Sequence, residues 1–160
     1  MFEEGRPLSL QEKLALKPYF NTQVLALARV VDGRVPFWLR RDMCAVVLGN
    51  TICFRAGYYQ ANTMRGLNLL GHELMHVAQF MQGMTTFKYL WSCRKGYMQS
   101  PYEVQAYAMG ARIALDFAWS RADERNVIRQ ILIFHPTYNA SSSVLRVLLF
   151  SKLLLAMIRI

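Results

Sequence analysis

His72, Glu73 and His76 stand in the run Gly71-His72-Glu73-Leu74-Met75-His76, a His-Glu-x-x-His pattern. On a helix a four-residue step puts both imidazoles on one face, one turn apart, so two neutral ring nitrogens can converge on one zinc ion at about 2.0–2.1 Å. Glu73 directly follows the first histidine, so its carboxylate is offset around the helix and reaches water on the metal rather than the metal itself, where a general base is needed. Ordinary residue frequencies produce such a pattern in roughly one chain of this length in two hundred. Here it uses two of only three histidines, so zinc binding is a stronger reading than two ordinary hydrogen-bonded helix histidines.

A catalytic zinc needs a third protein ligand and one open position. His135 is the other histidine, but it precedes Pro136 in a turn-like stretch. Glu103 has the better case, because it lies on the next strong helical segment, which can pack antiparallel and return a carboxylate to the metal. Ser100-Pro101-Tyr102-Glu103 is also a capping box with proline at the first helical position, so ligand and cap compete for the same carboxylate. Tyr107 lies one turn beyond Glu103 and either orients a ligand, polarises a substrate carbonyl, or is a core aromatic. Ala106 and Gly110 are small enough for the two helices to approach closely. Gln79, one turn after His76, either supports that ligand or faces solvent.

The positioning elements follow from periodicity. A helix should run from near Asn62-Thr63 to about Gln82, stopped by Gly83, burying Leu67, Leu70, Leu74, Val77 and Met81 at three- and four-residue spacing. A second should run from Ser100-Pro101 to about Trp119. Upstream, Ala45 to Phe54 is rich in Val, Ile and Phe and broken at Gly49-Asn50, which predicts a strand with a bulge or a hairpin-like break. Ser9-x-x-Glu12 can cap a short helix whose apolar face is Leu10, Leu14 and Leu16, ended or kinked at Pro18. Residues 22–32 fit helix or strand equally. Residues 84–99 read as a connection of aromatic and basic character. Asp123–Phe134 suits an amphipathic helix. Residues 144–160 read as an apolar-basic helix, short for a membrane span and suited to the core, to a partner or to a membrane surface. The expected fold is α+β and mainly α-helical, with a small sheet or hairpin before the zinc helix, in one domain over residues 1–160.

Composition bounds the rest. With 54% hydrophobic and 18% charged residues in 160, the chain should fold around a real core. Cys44, Cys53 and Cys93 have no paired short spacing and read as reduced thiols. A net charge of +9 favours an anionic partner, a membrane surface or an acidic protein. The basic residues form no run, which argues against nucleic acid. The opening residues carry two acids and no apolar stretch, so the expected location is cytoplasmic at synthesis, with non-classical delivery or peripheral membrane association as later fates.

The run Leu69 to Gln79, followed by Pro101-Tyr102-Glu103-Val104-Gln105-Ala106-Tyr107, resembles the gluzincin branch of zinc metallopeptidases. More narrowly, it resembles the metallopeptidase domain of proteins associated with bacterial extracellular contractile injection systems. The resemblance covers about residues 45–112. It implies a minimal zincin-like fold, His72, His76 and Glu103 as zinc ligands, and Glu73 as the base. The chain departs from related gluzincins at Tyr107, where many carry an acidic residue that orients a histidine ligand. The expected function is zinc-dependent hydrolysis of a protein or peptide substrate, Glu73 activating a zinc-bound water, an extended substrate lying along the Ala45–Phe54 strand, and Tyr107 or Tyr102 serving as oxyanion partner. The alternative is a non-catalytic, zinc-stabilised effector or interaction module, with or without membrane association.

Overall fold

The computed structural model describes residues 5–121, which lie in one compact unit. His135 and the segments expected to be helical at Asp123–Phe134 and 144–160 lie outside the described residues.

Ser9 caps helix α1 (Leu10–Leu16) through a complete capping box with Glu12. Leu10 and Leu14 do not form the expected apolar face; they are 73% and 61% exposed, while Glu12 and Leu16 are buried. The cause is the cap. Glu12 accepts the backbone N–H of Ser9, a fork of two 2.8 Å bonds from Arg6 and the hydroxyl of Tyr59, which holds its face inward and turns the leucines out. The helix ends before Pro18.

Residues 22–32, which fitted helix or strand, are both: helix α2 (Thr22–Leu27), capped by Asn21, then a strand at Arg29–Asp32. With β1 at Arg6–Pro7 this strand is β2; β3 is Ala45–Leu48 and β4 is Thr51–Phe54. Strands β3 and β4 make the expected hairpin, Leu48 opposite Thr51 and Gly49 in the left-handed region at φ 66°. The sheet order is β1-β2-β4-β3. β2 and β4 are parallel and the other pairs antiparallel, so β3 forms one edge.

Helix α3 (Met64–Met81) starts at Thr63, whose hydroxyl accepts the N–H of Gly66, and is followed by Gly83 at φ 93°. Leu67, Leu70, Leu74 and Val77 are at most 2% exposed and join Leu16, Val24, Ile52 and Phe54 in one core. Burial of each such side chain stabilises by about 1.5–3 kcal/mol. Met81 does not share this face; at the last turn it is 38% exposed.

The connection at 84–99 is more regular than expected, forming helix α4 (Thr86–Ser92) and two single 3₁₀ turns, Cys93–Lys95 and Tyr97–Gln99. Helix α5 (Pro101–Arg121) then packs on α3, with Ala106 and Gly110 buried in the seam. The fold is therefore α+β and mainly helical, as expected. The three cysteines are free thiols. No helix among the described residues is long and apolar enough to cross a membrane.

Candidate metal centre

Helix α3 presents His72, Glu73, His76 and Gln79 on its buried side, at 7%, 6%, 7% and 3% exposure. Helix α5 brings Glu103, fully buried, to the same point. The Nε2 atoms of His72 and His76 face each other at 3.2 Å. Glu103 Oε1 lies 3.3 Å from His76 Nε2, and Oε2 lies 3.5 Å from His72 Nε2. Four ligands at 2.0–2.1 Å around zinc define a tetrahedron with edges of about 3.3 Å. The observed separations are near that length, although the two from Glu103 come from different oxygens, so the three side chains can gather around one metal ion of zinc's size.

A second observation agrees. Glu103 Oε2 is buried and, among the described residues, has no hydrogen-bond partner. Leaving such an oxygen unmet in a protein interior costs about 1–3 kcal/mol, more when charged. A cation satisfies it. The competing role as a helix cap is not taken: Tyr89 donates its hydroxyl to Glu103 Oε1 at 2.6 Å, and the backbone N–H of Ser100 is met by the carbonyl of Tyr97.

The helix approach depends on residue size. A Cβ built on Gly110 would lie 2.6 Å from the carbonyl oxygen of Asn68, and one on Gly71 would lie 2.3 Å from Ile113 Cδ1. The Asn68 carbonyl is backbone and cannot turn aside, so hydrogen at Gly110 lets α5 come near enough to α3 to deliver Glu103, whereas the contact at Gly71 is with the far end of a side chain.

Burial and neighbouring charge set the protonation of the site. Burial, helped by a charged His76, lowers His72 to about 4, which keeps its ring neutral and able to bind metal. Burial opposes the charged forms of His76 and Glu103 too. Their mutual hydrogen bond and charge, with tyrosine hydroxyls on Glu103, outweigh it, so His76 is raised and Glu103 lowered. Burial raises Glu73 to about 7, with the Glu103 charge adding to it and His76 opposing. Among the described residues no hydrogen bond holds the Glu73 carboxylate, which distinguishes it from Glu103.

Tyr107 is 44% exposed, and its ring meets the edge of His72 with centroids 4.5 Å apart. It stands at the site and at solvent, not in the core. Tyr102 contributes its backbone carbonyl, which accepts from Gln79. Residues that the sequence did not single out are Tyr89, whose hydroxyl donates to Glu103 Oε1, and Tyr97; burial and the Glu103 carboxylate raise both phenols. They come from α4 and a 3₁₀ turn, where no helical spacing links them to the zinc motif. An aromatic-rich connection just before the ligand helix was their only signal.

Among known families, the eCIS core domain matches residues 11–84, which links this stretch to extracellular contractile injection systems. The match runs from α1 through α3, taking in His72, Glu73, His76 and Gln79, and ends before Glu103. No curated protein and no solved structure matches the chain.

Proposed function

We propose that this chain is a zinc-dependent peptidase of the gluzincin type acting in the context of a contractile injection system. The observation that carries the reading is the convergence of His72, His76 and the unmet oxygen of Glu103 beside a buried Glu73. His72, His76 and Glu103 would hold the ion, which when bound supplies Lewis-acid activation of water and of a carbonyl. Glu73 takes a proton from water as the water oxygen adds to the peptide carbonyl carbon. It then delivers that proton to the nitrogen as the C–N bond breaks. A carboxylate raised to about 7 is suited to both transfers near neutral pH. The half-exposed Tyr107, whose ring lies against His72, would donate to the oxygen on which charge develops. The free side of edge strand β3 is suited to an extended peptide.

The near-complete burial of all three ligands favours a second reading, a structural metal that clamps α3 to α5. Metal content by plasma mass spectrometry, with the wild-type chain beside Glu103→Ala and His72→Ala/His76→Ala, tests the centre. About one zinc per chain is expected, weakened in the first variant and lost in the second. A folded wild-type chain that takes no zinc when supplied with it overturns the reading. Peptide hydrolysis then separates enzyme from clamp: Glu73→Gln should keep zinc and lose activity by roughly 10²-fold or more. Undiminished cleavage by that variant would remove Glu73 from the mechanism.

A further inference from the structure

Gln79 lies at the crossing of α3 and α5 and touches both helices. Its side-chain nitrogen is 3.0 Å from the carbonyl oxygen of Tyr102 and 3.1 Å from Gln105 Oε1. Its oxygen is 2.8 Å from His76 Nδ1. A backbone carbonyl only accepts, so the atom facing Tyr102 must be the amide nitrogen, and the atom facing His76 must be the oxygen. An amide oxygen also only accepts. His76 Nδ1 must therefore carry a hydrogen, and in the neutral ring the lone pair is left on Nε2, the atom that faces His72 and Glu103.

We infer that Gln79 is a positioning residue that locks His76 in the Nδ1–H tautomer and aims its Nε2 lone pair at the metal, the carbonyl of Tyr102 setting the direction of the amide. This rests on the zinc-centre reading. Gln79 does with an amide what a carboxylate does behind many metal-binding histidines. It also makes the ligand orientation of α3 depend on the docking of α5.

The test compares zinc affinity by chelator competition at one fixed pH for the full-length wild type, Gln79→Leu and Gln79→Glu, with thermal unfolding recorded alongside. Gln79→Leu removes the acceptor and both donations to α5. Gln79→Glu keeps an acceptor for His76 Nδ1–H but cannot donate to Tyr102. The expected result is a roughly 10–100-fold loss of zinc affinity in Gln79→Leu and near wild-type affinity in Gln79→Glu, although both lose unfolding temperature. ¹⁵N-resolved imidazole spectra of the zinc-loaded proteins should show a slowly exchanging His76 Nδ1–H in wild type and Gln79→Glu only. Equal losses of affinity in the two variants would assign Gln79 to helix packing and overturn the inference. So would zinc ligation by His76 Nδ1. A wild-type chain that binds no zinc would overturn the centre itself and this inference with it.

Discussion

Gly110→Ala tests whether the closeness of α3 and α5 is what makes the metal centre. The added Cβ would stand 2.6 Å from the carbonyl oxygen of Asn68, 3.0 Å from Asn68 Oδ1 and 3.4 Å from His72 Cβ. The carbonyl belongs to the backbone of α3 and cannot rotate away, and an ordinary contact needs about 3.4 Å or more. The helices must therefore part by about 0.8 Å at this point. Glu103 lies two turns before Gly110 on the same face. If the shift carries to it, separations of 3.3 and 3.5 Å from the imidazoles grow toward about 4 Å, past the zinc tetrahedron's edge of about 3.3 Å. Alanine returns about 1 kcal/mol through helix propensity, and overpacking costs about 1–3 kcal/mol. The net expectation is a loss of about 0–2 kcal/mol, a fall of several degrees at most in unfolding temperature, and at least a tenfold loss of zinc affinity, since a site displaced by more than about 0.5 Å is no longer preorganised. Gly71→Ala is the control. Its Cβ meets the far end of the Ile113 side chain, which can turn aside, so stability should stay within about 1 kcal/mol and zinc affinity should be unchanged. Calorimetry and chelator competition on both variants decide it. Unchanged zinc affinity in Gly110→Ala, or equal damage from Gly71→Ala, would refute the geometric reasoning.

Glu12 should make the fold acid-sensitive. Burial works against its charge, but bonds from Arg6, Tyr59 and the Ser9 backbone prevail and hold its pKa at about 2 instead of 4.5. The stabilisation, about 3 kcal/mol at most, is complete above about pH 4.5 and lost as pH falls toward 2; urea unfolding over that range should show this limb in wild type and not in Glu12→Gln. Tyr89→Phe removes the 2.6 Å hydroxyl bond to Glu103 and should weaken zinc by about tenfold in chelator competition. Its circular dichroism should be unchanged, because α4 buries no residue. Chelation should lower the unfolding temperature of the wild type, since zinc at about one hundred times its dissociation constant adds about 2.7 kcal/mol. His72→Ala/His76→Ala should show no such dependence by calorimetry.

Local patterns carried much of this molecule. The capping box at Ser9, the hairpin break at Gly49-Asn50, and the span of α3 were legible because each is a short-range matter of hydrogen bonding or periodicity. The same regularity misled at α1, where leucine spacing pointed to an apolar face. A buried Glu12, satisfied by Arg6 and by Tyr59 from far along the chain, turned Leu10 and Leu14 outward and left Leu16 buried. Residues 22–32 were ambiguous because six helical residues and four strand residues share one window.

That His72 and His76 share a face and that Glu73 lies beside it was legible from spacing, because one helical turn sets those relations whatever the rest of the chain does. Which carboxylate joins them was a choice between a cap and a ligand, and spacing alone leaves both open. The packing of α5 on α3 brings Glu103 to the histidines: hydrogen in place of Cβ at Gly110 lets α5 approach, and the carbonyl of Tyr97 meets the Ser100 N–H that Glu103 would have capped. Tyr89 and Tyr97 enter from a connection without regular period. The direction of the Gln79 amide was likewise settled only by a carbonyl 23 residues away, since hydrogen-bond partners across a helix crossing leave no periodic trace in the chain.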